Sequence, residues 1–291
     1  MSLFKGGCSG QSAGRTSSAW SFCVGFLVLL SLAGCGSGKE TAGEGTGATL
    51  TKEYLYHRGH ILYAQEQYDT AAVLLKSAYA LDSMFVDPVR DLAMVYYEMG
   101  RREPPKSVSS DRNFRVAHRY FGRLEELGNH DAETYDRLCE ISLSLDDDRS
   151  FLRYARKNAE LYPYERQYYN LGLAQYGVGD YQNVIKTQKE AIEKFKTSQY
   201  IGGYYRLLGL AYVKVDRDQT AERTFNAGLK AVDAKLAELR RTSSAESDEY
   251  RRLADDRVNI LLQLKRIFLI YKKQQDLERV DRQLKEAGYE K

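Results

Sequence analysis

The sequence predicts an all-α protein, a solenoid of about six stacked helix pairs. Three observations predict it. First, apolar and small residues recur at helical spacing: between Tyr205 and Phe225, Leu208 and Tyr212 share a face at i, i+4, and Tyr205 lies three residues earlier. Second, the same pattern returns along the chain, in stretches starting near residues 52, 86, 132, 165, 202 and 261. One helix pair cannot bury its apolar face alone, so such copies are expected to stack. Third, the composition is 43% hydrophobic and 29% charged with only 4 Pro, which fits a helix-rich globular chain and not a disordered one.

Taken in order, residues 1–34 read as a leader: Lys5 and Arg15 precede an apolar run from Trp20 to Leu32 that is too short to span a bilayer comfortably. Residues 35–50 are rich in Gly, Ser, Thr and Glu and read as a flexible tether reaching roughly 20 Å. The repeat array is expected over 51–291. Repeat 1 carries Gly59, Tyr68, Ala71 and Ala78. Repeat 2 carries Leu92-Ala93, Tyr96 and Gly100, and its second helix, with Ala117 and Phe121, arrives about a dozen residues late. The delay falls on Arg101 to Arg112, where Pro104-Pro105 predicts a loop. Repeat 3 has Tyr135 and Leu138-Cys139, and repeat 4 has Tyr168, Leu171-Gly172 and Ala191. Past Phe225 the apolar pattern runs on to about Arg241, breaks at Thr242 to Ser247, and resumes near Asp248. This predicts an elongated antiparallel pair projecting from the array. A last helix, Gln275 to Ala287, is charged on its outer side, as a terminal cap requires.

Tyr205, Leu208-Gly209, Tyr212, Ala221 and Phe225 together resemble the signature of the tetratricopeptide repeat (TPR), a 34-residue helix–turn–helix unit. The resemblance implies a right-handed TPR solenoid over roughly residues 52–288. Leu32-Ala33-Gly34-Cys35 resembles the lipobox of bacterial lipoproteins. That resemblance implies cleavage before Cys35, lipidation of Cys35 and a membrane anchor, since each buried CH₂ contributes roughly 0.8 kcal/mol. Gly36 rather than Asp at the next position implies, by proteobacterial sorting, the outer membrane facing the periplasm.

In TPR proteins the inner groove is lined by positions 2, 5, 9, 12 and 13 of each first helix. Carried onto this chain, the resemblance implies a partner-binding groove containing Tyr56, His60, Tyr63, Arg90, Tyr97, Tyr169, Tyr176, Arg206 and Lys214. Tyr and Arg are enriched at interface hot spots. The same mapping puts Glu133, Asp136 and Glu140 in mid-groove and Lys265, Lys272 and Lys273 at its far end. The paired Lys and Asn of chaperone-tail clamps are missing.

No motif argues for catalysis: there is no Gly-x-Ser-x-Gly, no phosphate-cradling Gly loop and no His-Glu-x-x-His. His57 and His60 share a helix face, but no further ligand at a matching spacing completes a metal site, and no cofactor is expected. Cys139 reads as a small buried thiol. Formal net charge is +3; without Lys5 and Arg15 it is about +1, too balanced to argue for nucleic acid. The expectation is a non-enzymatic, membrane-anchored envelope scaffold that holds a protein or peptide. The alternative is a carrier for a small apolar or anionic ligand, alone or with a solute-binding protein. Within the scaffold reading, the groove could instead be closed by the chain's own C-terminal helices or by self-association.

Overall fold

The computed structural model describes residues 51–242 and 247–289. The expected leader, Cys35 and the tether lie outside the described residues. Those described form twelve helices: α1 (Lys52–Ala64), α2 (Tyr68–Leu81), α3 (Val86–Arg102), α4 (Val108–Glu126), α5 (Ala132–Ser144), α6 (Asp148–Leu161), α7 (Glu165–Gly177), α8 (Tyr181–Lys194), α9 (Ile201–Lys214), α10 (Asp218–Arg241), α11 (Asp248–Ile270) and α12 (Gln274–Glu286). Each helix packs on the next, giving six hairpins in a row. The first helices of successive hairpins also touch, α1 on α3, α7 on α9 and α9 on α11. That places the odd-numbered helices on the shorter, inner side of the stack. The array is an all-α solenoid.

The hairpin turns are built alike. All six put one residue in the left-handed region: Lys106 between α3 and α4, with φ of 64°, and in the other five Glu66, Asp146, Gly179, Asp216 and Lys272, with φ of 61°, 54°, 79°, 57° and 52°. In those five the following amide closes back on the carbonyl five residues earlier: Gln67 to Leu62, Asp147 to Ser142, Asp180 to Gln175, Arg217 to Tyr212 and Lys273 to Phe268. This is a Schellman closure, which satisfies carbonyls that the helix end leaves open. Asp147 and Asp180 then cap the next helix with their side chains.

This turn fixes the register, with the left-handed residue at position 15. Positions 8 and 24 then face each other. A Cβ on Gly59 would lie 2.8 Å from Leu75, one on Gly209 would lie 2.3 Å from Phe225, and one on Gly172 would collide with Gln188. The small residue lets a large one cross the hairpin. In the sixth repeat the turn residue Lys272 moves the start from 261 to 258. Position 8 is then Lys265, which meets Asp281 at 2.8 Å. The revised start also puts Leu261, Leu264 and Phe268 at core positions, and all three are fully buried.

Two further expectations need correction. The predicted loop from Arg101 to Arg112 is only residues 103–107; the insertion lengthens α3 and α4 to 17 and 19 residues instead. The Pro pair confines the break, and Ser107 caps α4 by accepting from the Ser110 amide at 3.1 Å. The elongated pair α10–α11 is present at 24 and 23 residues. Its far half does not project free: Leu253, Asp256 and Ile260 near the start of α11 are buried.

Apolar packing divides into two main clusters. One runs through the first three hairpins, around Leu92, Phe121, Leu138 and Phe151; the other fills the last two, around Tyr204, Phe225, Leu261 and Phe268. Between them α6, α7 and α8 bury polar side chains: Asn158, Gln167, Gln175 and Gln188. Asn158 and Gln167 both donate to Asp136, and Gln188 donates to the Tyr168 carbonyl. Buried amides of this kind are retained where they find partners.

Candidate protein-binding surface

The inner face is crossed by polar contacts, one set at each step between odd-numbered helices. From α1 to α3, His60 Nδ1 meets Asp91 at 2.7 Å. From α3 to α5, the Tyr97 hydroxyl donates to Glu140, and Arg137 donates to both. From α5 to α7, Arg166 pairs with Asp136 at 3.3 Å and with Glu140. From α7 to α9, Arg206 donates to the Tyr169 hydroxyl at 3.1 Å. From α9 to α11, Arg206 Nε donates to Asp256 at 3.0 Å. The resulting ladder fixes the spacing of the helices that form the face.

The electrostatics follow from this pairing. Burial alone would raise the Glu140 carboxyl, but the Tyr97 hydroxyl and the Arg137 and Arg166 charges outweigh it and hold the group below its usual 4.5. Burial, with the adjoining Glu140 carboxylate, pushes the Tyr97 hydroxyl up to about 12. Mid-groove negative charge is therefore largely neutralised from within.

The sequence-derived groove residues divide by these contacts. Tyr97 is only 4% exposed, sandwiched against Phe114 and under the Arg137 guanidinium, which lies 4.8 Å from its ring centre. Tyr169 stacks on Tyr200 at 5.4 Å, and Arg206 is largely buried between Tyr169 and Asp256. These three are ladder members and not free contact residues, because neighbouring repeats supply partners that close over them. Tyr56 leans edge-on against Phe85 and is half-buried. Tyr63 rests half-buried beside Tyr68, and Tyr176 beside Tyr181 at 5.4 Å. His60 and Arg90 keep exposed side chains although each is paired, Arg90 with Asp87 at 3.1 Å. Lys214 is exposed. The expected basic far end is also altered: Lys265 is tied to Asp281, and Lys273 to Glu222.

Position 12 forms the most continuous apolar line on this face. It holds Tyr63, Tyr97, Leu143, Tyr176, Val213 and, in the corrected register, Leu269. Leu143 and Leu269 are exposed, and Tyr63, Tyr176 and Val213 half-buried. Leu269 continues into exposed Ile270 and Tyr271. The repeat mapping already put Leu269 in the groove, but at position 9 and not 12, because it started the last repeat three residues late. It missed Asp91, Arg137 and Asp256, which no repeat pattern marks; Arg137 alone left a trace, its i, i+3 spacing to Glu140.

Among the described residues no group of three His, Cys, Asp or Glu side chains is arranged to hold a metal ion. Cys139 is buried, and burial pushes its thiol well above the ordinary range. No described helix is long and apolar enough to cross a membrane.

No protein-family model matches the chain, and no curated protein does. Solved structures do. The crystal structure of MamA superposes with a TM-score of 0.52 at 19% identity, over 64% of this chain and 94% of that one. YrrB, described as a TPR protein with an unusual peptide-binding site, gives 0.52 at 12% identity, over 63% of this chain and 88% of that one. At these identities the likeness establishes the fold, an all-α solenoid of the TPR type.

Proposed function

We infer that this TPR solenoid is a scaffold that holds a protein or peptide segment along its inner face, tethered to a bacterial envelope membrane through Cys35. The observation that carries the binding reading is the position-12 line. Tyr63, Leu143, Tyr176 and Leu269 recur on one side of a face whose helices are locked by the ladder. Amphipathic rings with few rotamers lose little freedom on binding. A preset face likewise avoids the cost of ordering. The peptide-binding site described for YrrB, on the same fold, supports this reading. Of the residues that the repeat mapping put in the groove, Tyr63, Leu143, Tyr176 and Leu269 stay as contacts, and Tyr97, Tyr169 and Arg206 act as supports. The anchor rests on Leu32-Ala33-Gly34-Cys35. It would hold the scaffold at the outer membrane, facing the periplasm.

The test is affinity capture of the partner from solubilised membranes, followed by calorimetry. Tyr63→Ala with Tyr176→Ala should weaken binding by about 2 kcal/mol or more in a variant that circular dichroism shows to be still folded. Unchanged binding would remove the inner face from consideration. For the anchor, Cys35→Ala should move the protein out of the detergent phase on fractionation; retention there would defeat that part of the proposal.

A further inference from the structure

On the opposite side of the array, α4 carries Arg112, Arg115 and Arg119 at i, i+3 and i+7, all exposed. That spacing puts them on one face, spread over about 10 Å at 1.5 Å per residue. They border a cleft of about 710 Å³ between α4 and the turn that joins α5 to α6. Arg119 also borders a second cleft of about 620 Å³ between α4 and α6.

Apart from Asp111, the carboxylates nearby are already committed. Asp147 accepts from the Ser150 amide as the cap of α6, and Asp146 pairs with Lys106 at 2.7 Å. Glu125 takes Arg153 and Lys157, and Glu126 takes Arg123. None of the three arginines forms an ion pair, whereas about half of the other arginines of the described residues do. The cleft adds two features. Asp111 lines it with a buried Oδ1 that has no hydrogen-bond partner. Val108, 88% exposed, stands at its edge, and Val116 and Leu145 line it.

We propose that this cleft binds an acidic segment of a partner protein, with carboxylates about 10 Å apart beside an apolar side chain. Three guanidinium forks fit carboxylates in paired geometry. Val108, Val116 and Leu145 receive the apolar side chain. A free phosphate or a flat anionic membrane surface fits less well, because neither places an apolar side chain against Val108, Val116 and Leu145 inside the cleft. The site is separate from the inner face and does not depend on the reading proposed for that face.

A fluorescein-labelled peptide bearing Glu and Leu at alternating helical faces serves as the probe, titrated into the detergent-solubilised full chain. Binding should weaken at least tenfold in the Arg112→Glu, Arg115→Glu, Arg119→Glu triple variant and recover in part in the Arg→Lys triple. Tyr63→Ala with Tyr176→Ala should leave it unchanged, and rising salt should weaken it. Equal binding of a peptide with Lys in place of Glu, or unchanged binding by the triple Glu variant at an unaltered melting temperature, would overturn the proposal. Displacement of the probe by pyrophosphate or by phosphatidylglycerol vesicles would also overturn it, and would assign the cleft to simple anions or to lipid.

Discussion

Gly209 and Gly122 both sit inside helices, yet a methyl group added at each meets opposite surroundings. At Gly209 it would lie 2.3 Å from Cε1 of Phe225, a fully buried ring with little room to move; at Gly122 it would meet nothing within 4 Å. Gly209→Ala should therefore cost about 1–3 kcal/mol through overpacking. Gly122→Ala should gain up to about 1 kcal/mol through the better helix propensity. Urea unfolding of the two variants side by side measures both. The small residue at position 8 was legible in the first, fourth and fifth repeats because glycine marks it plainly. In the last repeat the same space is spanned by Lys265 and Asp281, so no small residue marks position 8 and the pattern alone places the start three residues late. Tyr97 differs for another reason: the residue that claims its hydroxyl, Glu140, lies 43 positions away, in the next repeat and two helices on, and no local spacing announces it. Glu140 makes a pH prediction. Its folded-state carboxyl titrates below the ordinary 4.5, so its contribution is complete above that value and is lost as pH falls through the lowered one. Urea midpoints taken from about pH 5 down to about pH 3 should decline less steeply in Glu140→Gln than in the parent chain.

Helices α9 and α11 are joined by the Arg206–Asp256 pair, whose side chains are largely hidden from water. A buried pair of this sort need not add stability, but half of one is expensive. Arg206→Met should destabilise by about 3–5 kcal/mol, because Asp256 is then left buried and uncompensated. Arg206→Met with Asp256→Leu should recover most of the loss. Thermal or urea unfolding of the single and double variants decides; a double variant as unstable as the single would mean that the pair does not couple the helices. At this scale the order and pairing of elements could be read from the sequence, since apolar spacing and Gly or Pro punctuation are local signals. The extent of the insertion in the second repeat could not. Pro104-Pro105 says where a helix must stop, but not how far α3 and α4 continue toward it, which depends on packing between them.

Across the whole array, positions 3 and 10 of each inner helix face the preceding hairpin. Val95, Ile141, Ala174, Ala211 and Ile267 at position 10 are all buried. Tyr54 and Ile61 in α1 hold the same two positions but are 53% and 49% exposed, since no described helix precedes α1. Ile61→Lys should therefore shift stability by no more than about 0.5 kcal/mol, whereas Ile141→Lys places an unpaired charge in the core and should unfold at least its own repeat. Circular dichroism melts of the two variants test the register end to end. The inner ladder has a further, mechanical consequence. An array stitched along one edge resists uncurling in that direction, and under tension its stitches carry the load in series. The stitch between α1 and α3, His60 to Asp91, is made by an imidazole whose side chain is half open to water, whereas the one between α9 and α11 is a guanidinium sealed from it. Force applied from the N-terminal side should therefore detach the first hairpin at low load and leave the curvature of the remaining five in place. In an optical trap this would appear as an early, short extension step well ahead of the main rupture.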